Sequence, residues 1–119
     1  MATVKTSLKL QALGKIAGIL SLNYAKEKDI TVTDTTGDSV SITTGDTSLV
    51  ATGYGATAYV FILNNHSTHQ LNLKIDAGTQ WGVVEPGEWA FFSVPNGTGL
   101  KVASSTGTII TEYVIMKKV

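Results

Sequence analysis

The chain has no cysteine and no arginine. The first absence excludes a disulfide framework, a thiol nucleophile and a thiolate metal site, and fits folding that is independent of redox state. The second leaves nine lysines as the whole basic complement, balanced by nine acids to a net charge of zero. That balance argues against a nucleic-acid partner, because phosphate binding draws on a basic surplus and base-edge reading favours the bidentate guanidinium. Long apolar runs are missing as well. No stretch approaches eighteen unbroken apolar residues, and "MATVKTSLKL" lacks the continuous apolar core of a signal peptide, so a soluble, unexported chain with no membrane partner is expected. P-loop, Rossmann and nucleophile-elbow patterns are also absent.

What is present alternates. From Ser7 to Tyr24 the even positions are Leu8, Leu10, Ala12, Gly14, Ile16, Gly18, Leu20, Leu22 and Tyr24, and most odd positions are polar or Lys. Period two means strand, and the length predicts a break at Gly14 or Gly18. The same glycines spell GxxxG, but Lys9 and Lys15 interrupt the apolar helix that a membrane dimer motif requires. "DITVT" and "DSVSIT" read as two short strands joined by a turn at "DTTGD", whose residues recur at Thr43 to Thr47 as "TTGDT". Asp and Gly suit turns through local backbone hydrogen bonds and positive φ. Asp34, Asp38 and Asp46 lack calcium-loop spacing, so turn chemistry is the simpler account.

"AYVFILNN" is apolar on both faces, with Tyr59, Phe61 and Leu63 on one side and Val60 and Ile62 on the other, which predicts a strand covered from both sides. "QLNLKID" alternates cleanly, Leu71, Leu73 and Ile75 inward, Asn72 and Lys74 outward. Short strands at regular intervals, with turn signals between them and no helical periodicity, predict an all-β antiparallel sandwich in a single domain spanning residues 1–119.

Two constellations invite a chemical reading. Glu85 and Glu88 bracket Pro86 and Gly87, and a glycosidase needs two carboxylates; those must flank a cleft, one of them in an apolar setting. Pro at the second and Gly at the third position of a four-residue turn is the type II signature, which accounts for all four residues as a structural turn with both acids in solvent. His66 and His69 form HxxH on a polar loop, two imidazoles where zinc wants three or four ligands. No catalytic residue, metal ligand set or cofactor site follows, since the acids and histidines sit in turn and loop contexts.

The strand after the turn is more informative. Trp89, Phe91 and Ser93 share one face and Ala90, Phe92 and Val94 the other, and one face alone can enter the core. The second apolar face calls for cover by a loop, the N-terminal segment or another subunit, so a homo-oligomer or partner contact is expected. The candidate contact residues are Tyr59, Phe61, Trp89 and Phe91, with the N-terminal strands of residues 1–33. Trp81, Trp89 and Tyr54 are the candidates for stacking a glycan.

From about Ala58 to Met116 the pieces "YVFILNN", "EPGEWAFFSV", "GLKVASSTGT" and "ITEYVIM" follow one another in an order that resembles small virion proteins of tailed bacteriophages. "TSLKL" with "LSLNYAKEKDITVT" extends the resemblance over most of the chain. It implies a jelly-roll or related β-sandwich, with residues 58–119 as the jelly-roll-like half, and a role as an accessory part of the particle, often capsid decoration or cement. The partner so implied is the phage major capsid protein and the location the virion, assembled in the host cytoplasm. Carbohydrate binding and a tail, neck or fibre adaptor are the alternatives, since sandwich folds serve many functions.

Overall fold

The computed structural model describes residues 2–10 and 24–119. Nine strands follow in order: β1 (Ala2–Leu10), β2 (Tyr24–Ile42), β3 (Thr47–Val50), β4 (Ala58–Asn64), β5 (Leu71–Lys74), β6 (Gln80–Val84), β7 (Trp89–Val94), β8 (Leu100–Ser104) and β9 (Ile109–Lys118). They pair antiparallel as β2 with β9, β3 with β8, β4 with β7 and β5 with β6. That nesting is one long hairpin, β2–β5 against β6–β9, rolled up on itself. Rolling adds the pairs β4–β9 and β5–β8 and splits the ribbon into two sheets, β2-β9-β4-β7 and β3-β8-β5-β6, with β1 appended outside β2. Two four-stranded sheets in this order form a jelly roll, so the all-β antiparallel sandwich expected from the alternation is the fold observed.

The core lies between the sheets. Val60, Ile62, Ile109 and Ile42 from one sheet meet Leu71, Leu73, Leu100 and Val102 from the other, nearly all without solvent exposure. Each such side chain contributes about 1.5–3 kcal/mol by leaving water, which is what offsets the cost of ordering so many strands. At one end of this core Asn64 is fully buried. Its amide nitrogen donates to the carbonyls of His69 (2.8 Å) and Val84 (3.0 Å), and its oxygen accepts from the His66 N–H (3.0 Å), so the last residue of β4 ties the 65–70 loop to β6. Thr111, its register partner on β9, is as deeply buried, but its hydroxyl has no hydrogen-bond partner among the described residues.

The turn expected at "DTTGD" is not a turn. β2 runs through it without interruption, and the segment instead holds a bulge, where Val32 opposes Lys118 but Thr35 opposes Met116. Thr35 to Ile42 gain a full ladder with β9, which outweighs the local turn preference of Asp34 and Gly37. Gly37 fits because a β-carbon there would stand 3.3 Å from the Tyr113 carbonyl oxygen and 3.4 Å from a Val114 methyl. The echo at Thr43 to Asp46 does turn, joining β2 to β3. Before the bulge, from Tyr24 to Ile30, β2 pairs with β1 alone among the described residues, so the two form a ribbon that continues past the end of β9. The expected break at Gly14 or Gly18 lies outside the described residues.

Candidate functional site

The turn at Glu85–Glu88 has the predicted form. The Glu88 N–H donates to the Glu85 carbonyl at 3.0 Å, Gly87 has φ of 76°, and both carboxylates are exposed. Gly87 also donates its N–H to the Asn64 carbonyl and Asn64 donates to the Glu88 carbonyl, each at 2.9 Å, which locks the start of β7 beside the end of β4. The turn therefore sets the register in which the aromatic residues of β7 meet those of β4.

That register sends Ala90, Phe92 and Val94 toward the core and Trp89, Phe91 and Ser93 outward. On β4, Val60 and Ile62 are buried inside, while Tyr59, Phe61 and Leu63 stand half-buried on the outer face. The expected cover on both sides of β4 is thus complete on the inner side alone. Of the two candidate pairs, Tyr59/Phe61 and Trp89/Phe91, both face outward. Their rings interlock along the diagonals of the ladder: Tyr59 stacks with Phe91 at 6.3 Å and 6° between planes, and Phe61 tilts against Trp89 at 6.1 Å and 31°. Diagonal neighbours on one face are within reach of aromatic side chains, and each such pair adds about 0.5–1.5 kcal/mol beyond area burial.

The next strand extends the surface. Register partners on β9 place Met116 beside Tyr59 and Val114 beside Phe61, and beyond them Thr35 and Gly37 of β2. Tyr59, Val114 and Met116 join a second apolar cluster with Val4, Ile30 and Val32 from the β1–β2 ribbon. An apolar band therefore runs along the outer face from β7 through β4 and β9 to the β1–β2 ribbon, interrupted by Ser93, Glu112 and Thr35. Trp89 at 58% and Phe91 at 41% exposure form its open end. Val114 and Met116 escape a reading of the sequence because "YVIM" is apolar on both faces; the even-numbered alternation from Ile110 to Met116 is the signal that places them outside.

The other candidates separate. Trp81 has no direct partner where the β5–β6 register shifts, and this bulge turns its ring edge-on to Phe92 at 5.1 Å and 81°. Half-exposed, it lines a shallow cleft of about 230 Å³ with Ile75, Ser93, Val94, Pro95, Thr98 and Gly99. Tyr54 packs on the core under the Lys117 ammonium, 5.3 Å from the ring centre. Burial, and secondarily the Asp34 carboxylate, raises its hydroxyl pKa above the usual tyrosine value. The His66 and His69 rings stack at 3.9 Å and 9°. His66 Nδ1 accepts the N–H groups of Thr68 and His69 at 3.0 and 2.9 Å, so that nitrogen serves the loop's own backbone. Asp46 pairs with Lys74 at 2.8 Å and Asp38 accepts from the Ser39 N–H, and among the described residues no three acidic or imidazole groups gather.

Set against known proteins, the chain matches no family model and no curated protein.

Proposed function

We propose that this chain is a non-enzymatic structural protein of a tailed-phage particle, a capsid decoration or cement protein whose outer sheet face seats on the assembled head. The observation that carries the reading is the interlocked aromatic surface of Tyr59, Phe61, Trp89 and Phe91, held flat on a jelly roll with Trp89 and Phe91 open to solvent. Large apolar patches on a protein surface mark contact sites, and aromatic anchors dominate such contacts. The order of motifs along the sequence supports the same role. Each copy bridges neighbouring coat subunits, and particle symmetry repeats the contact, so modest single affinities sum to avidity. A protein that binds the assembled shell and not its free subunits stabilises the shell by linkage.

Cosedimentation of the purified protein with isolated heads, and separately with isolated tails, tests this. Saturable binding to heads, at a copy number that fits the lattice symmetry and is lost in Trp89→Ser, is expected. Tail-only binding reassigns the protein as a tail, neck or fibre adaptor, and binding to neither ends the particle reading. One observation favours a second reading, a carbohydrate-binding module: Trp81 stands exposed over a cleft that Ser93 and Thr98 also line. A glycan screen in which Trp81→Ala abolishes a hit would establish it.

A further inference from the structure

A strand at the border of a sheet offers unpaired N–H and C=O groups to any chain that can lie beside it, and proteins blunt such borders with charge, bulges or brevity. Three of the four border strands among the described residues are blunted. β1 carries Lys5 and Lys9; β3 is four residues long with a bulge at Leu49; β6 is five residues long with a bulge at Trp81. β7 has none of these devices. Trp89–Val94 contains no charged residue, its register with β4 is unbroken, and Trp89 and Phe91 are exposed.

The hydrogen bonds settle which backbone groups of β7 are without a partner among the described residues. Asn64 donates to the Glu88 carbonyl, so Glu88 turns that group toward β4. Period-two alternation gives Ala90, Phe92 and Val94 the same orientation, and leaves the N–H and C=O of Trp89, Phe91 and Ser93 on the open border. These are the residues whose side chains stand on the outer face.

The geometry points to a second copy of this chain as the occupant of that border, its β7 paired antiparallel with this one about a two-fold axis through Phe91, normal to the sheet. In that register Phe91 opposes Phe91 of the second copy and Trp89 opposes Ser93. All three free residues on each strand enter the ladder, giving roughly six hydrogen bonds; an axis through Ala90 would leave Ser93 unpaired. Directly opposed residues of an antiparallel pair share a face, so the aromatic surfaces of the two copies join on one side. β7 brings no charge against its own symmetry mate, whereas a lysine-bearing border such as β1 can set like charges close together. A two-fold contact closes at two copies, because each uses the one unblunted border among the described residues. The inference rests on the border of the sheet and stands or falls separately from the particle reading.

Sedimentation of the purified chain from about 1 μM to about 1 mM is expected to show a reversible monomer–dimer equilibrium. Phe91→Lys sets like charges opposite each other at the axis, and Ser93→Pro removes a border N–H without touching the β4 ladder. Each should weaken the dimer about tenfold or more, while Thr3→Lys on the β1 border leaves it unchanged. In the unaltered protein, hydrogen exchange at the Trp89, Phe91 and Ser93 amides should slow as concentration rises. A monomer at every concentration, or a dimer that survives both β7 variants, overturns the proposal.

Discussion

On the outside of the four-stranded sheet, Asn72, Lys74 and Lys101 alternate with the buried Leu71, Leu73 and Val102. On the outside of the five-stranded sheet the corresponding positions hold Tyr59, Phe61, Trp89 and Phe91, alternating with the inward Val60, Ile62, Ala90 and Phe92. The inner faces are alike and fill one core, so the difference lies in the outer surfaces. A sandwich needs one apolar face per sheet. The second apolar face on β4 and β7 is surplus to the fold, and a surface that costs solubility without serving the core is where a binding role belongs.

The sharpest way to break this comparison is to truncate neighbouring residues on opposite faces of β4. Ile62→Ala opens a cavity in the shared core and should cost about 2–5 kcal/mol in denaturant unfolding. Phe61→Ala, one residue away, removes a half-buried ring and its contact with Trp89, and should cost about 1 kcal/mol while abolishing particle binding. Equal destabilisation by the two would mean that the outer face belongs to the fold, and the contrast between the sheets would lose its functional meaning.

Much of this contrast is legible in the sequence, and the reasons are local. Clean alternation in "QLNLKID" places Leu71 and Leu73 inside, and the Pro-Gly pair between Glu85 and Glu88 sets the β7 face that carries Trp89. "DTTGD" misleads because its residues favour a turn wherever the chain is free to make one, and the pairing of Thr35 to Ile42 with β9 depends on residues some seventy-five positions away. The Asn64 anchor is hidden for a related reason. An Asn ending an apolar run reads as the start of a loop, and the acceptors it satisfies, the carbonyls of His69 and Val84, come together only after the jelly roll closes.

A smaller effect of opposite sign is expected beside Asn64. Thr111 shares the inner face of the five-stranded sheet, and its buried hydroxyl is unpartnered among the described residues. Thr111→Val replaces that hydroxyl with a methyl group of similar size and removes the desolvation penalty, so it should stabilise the protein by about 1 kcal/mol, read as a higher midpoint at unchanged denaturant slope. A loss of stability would show that the hydroxyl has a partner, such as a buried water, and that the inner faces of the sheets differ after all.

The smallest effect belongs to the lysines on the outside of the four-stranded sheet. Lys74 reaches Asp46 at 2.8 Å, with both side chains partly exposed. Solvent screens a pair of that kind, and holding a lysine in one rotamer costs entropy, so Lys74→Met should cost no more than about 1 kcal/mol. The loss should shrink in about 1 M salt, where the Debye length falls to about 3 Å. Particle binding should be unaffected, since Lys74 lies on the sheet facing away from the aromatic surface. If Lys74→Met weakened binding as much as Phe61→Ala, the contact would have to reach both sheets, and the functional surface would lie at the side of the sandwich, where β6 and β7 run together, with its broad face serving some other end.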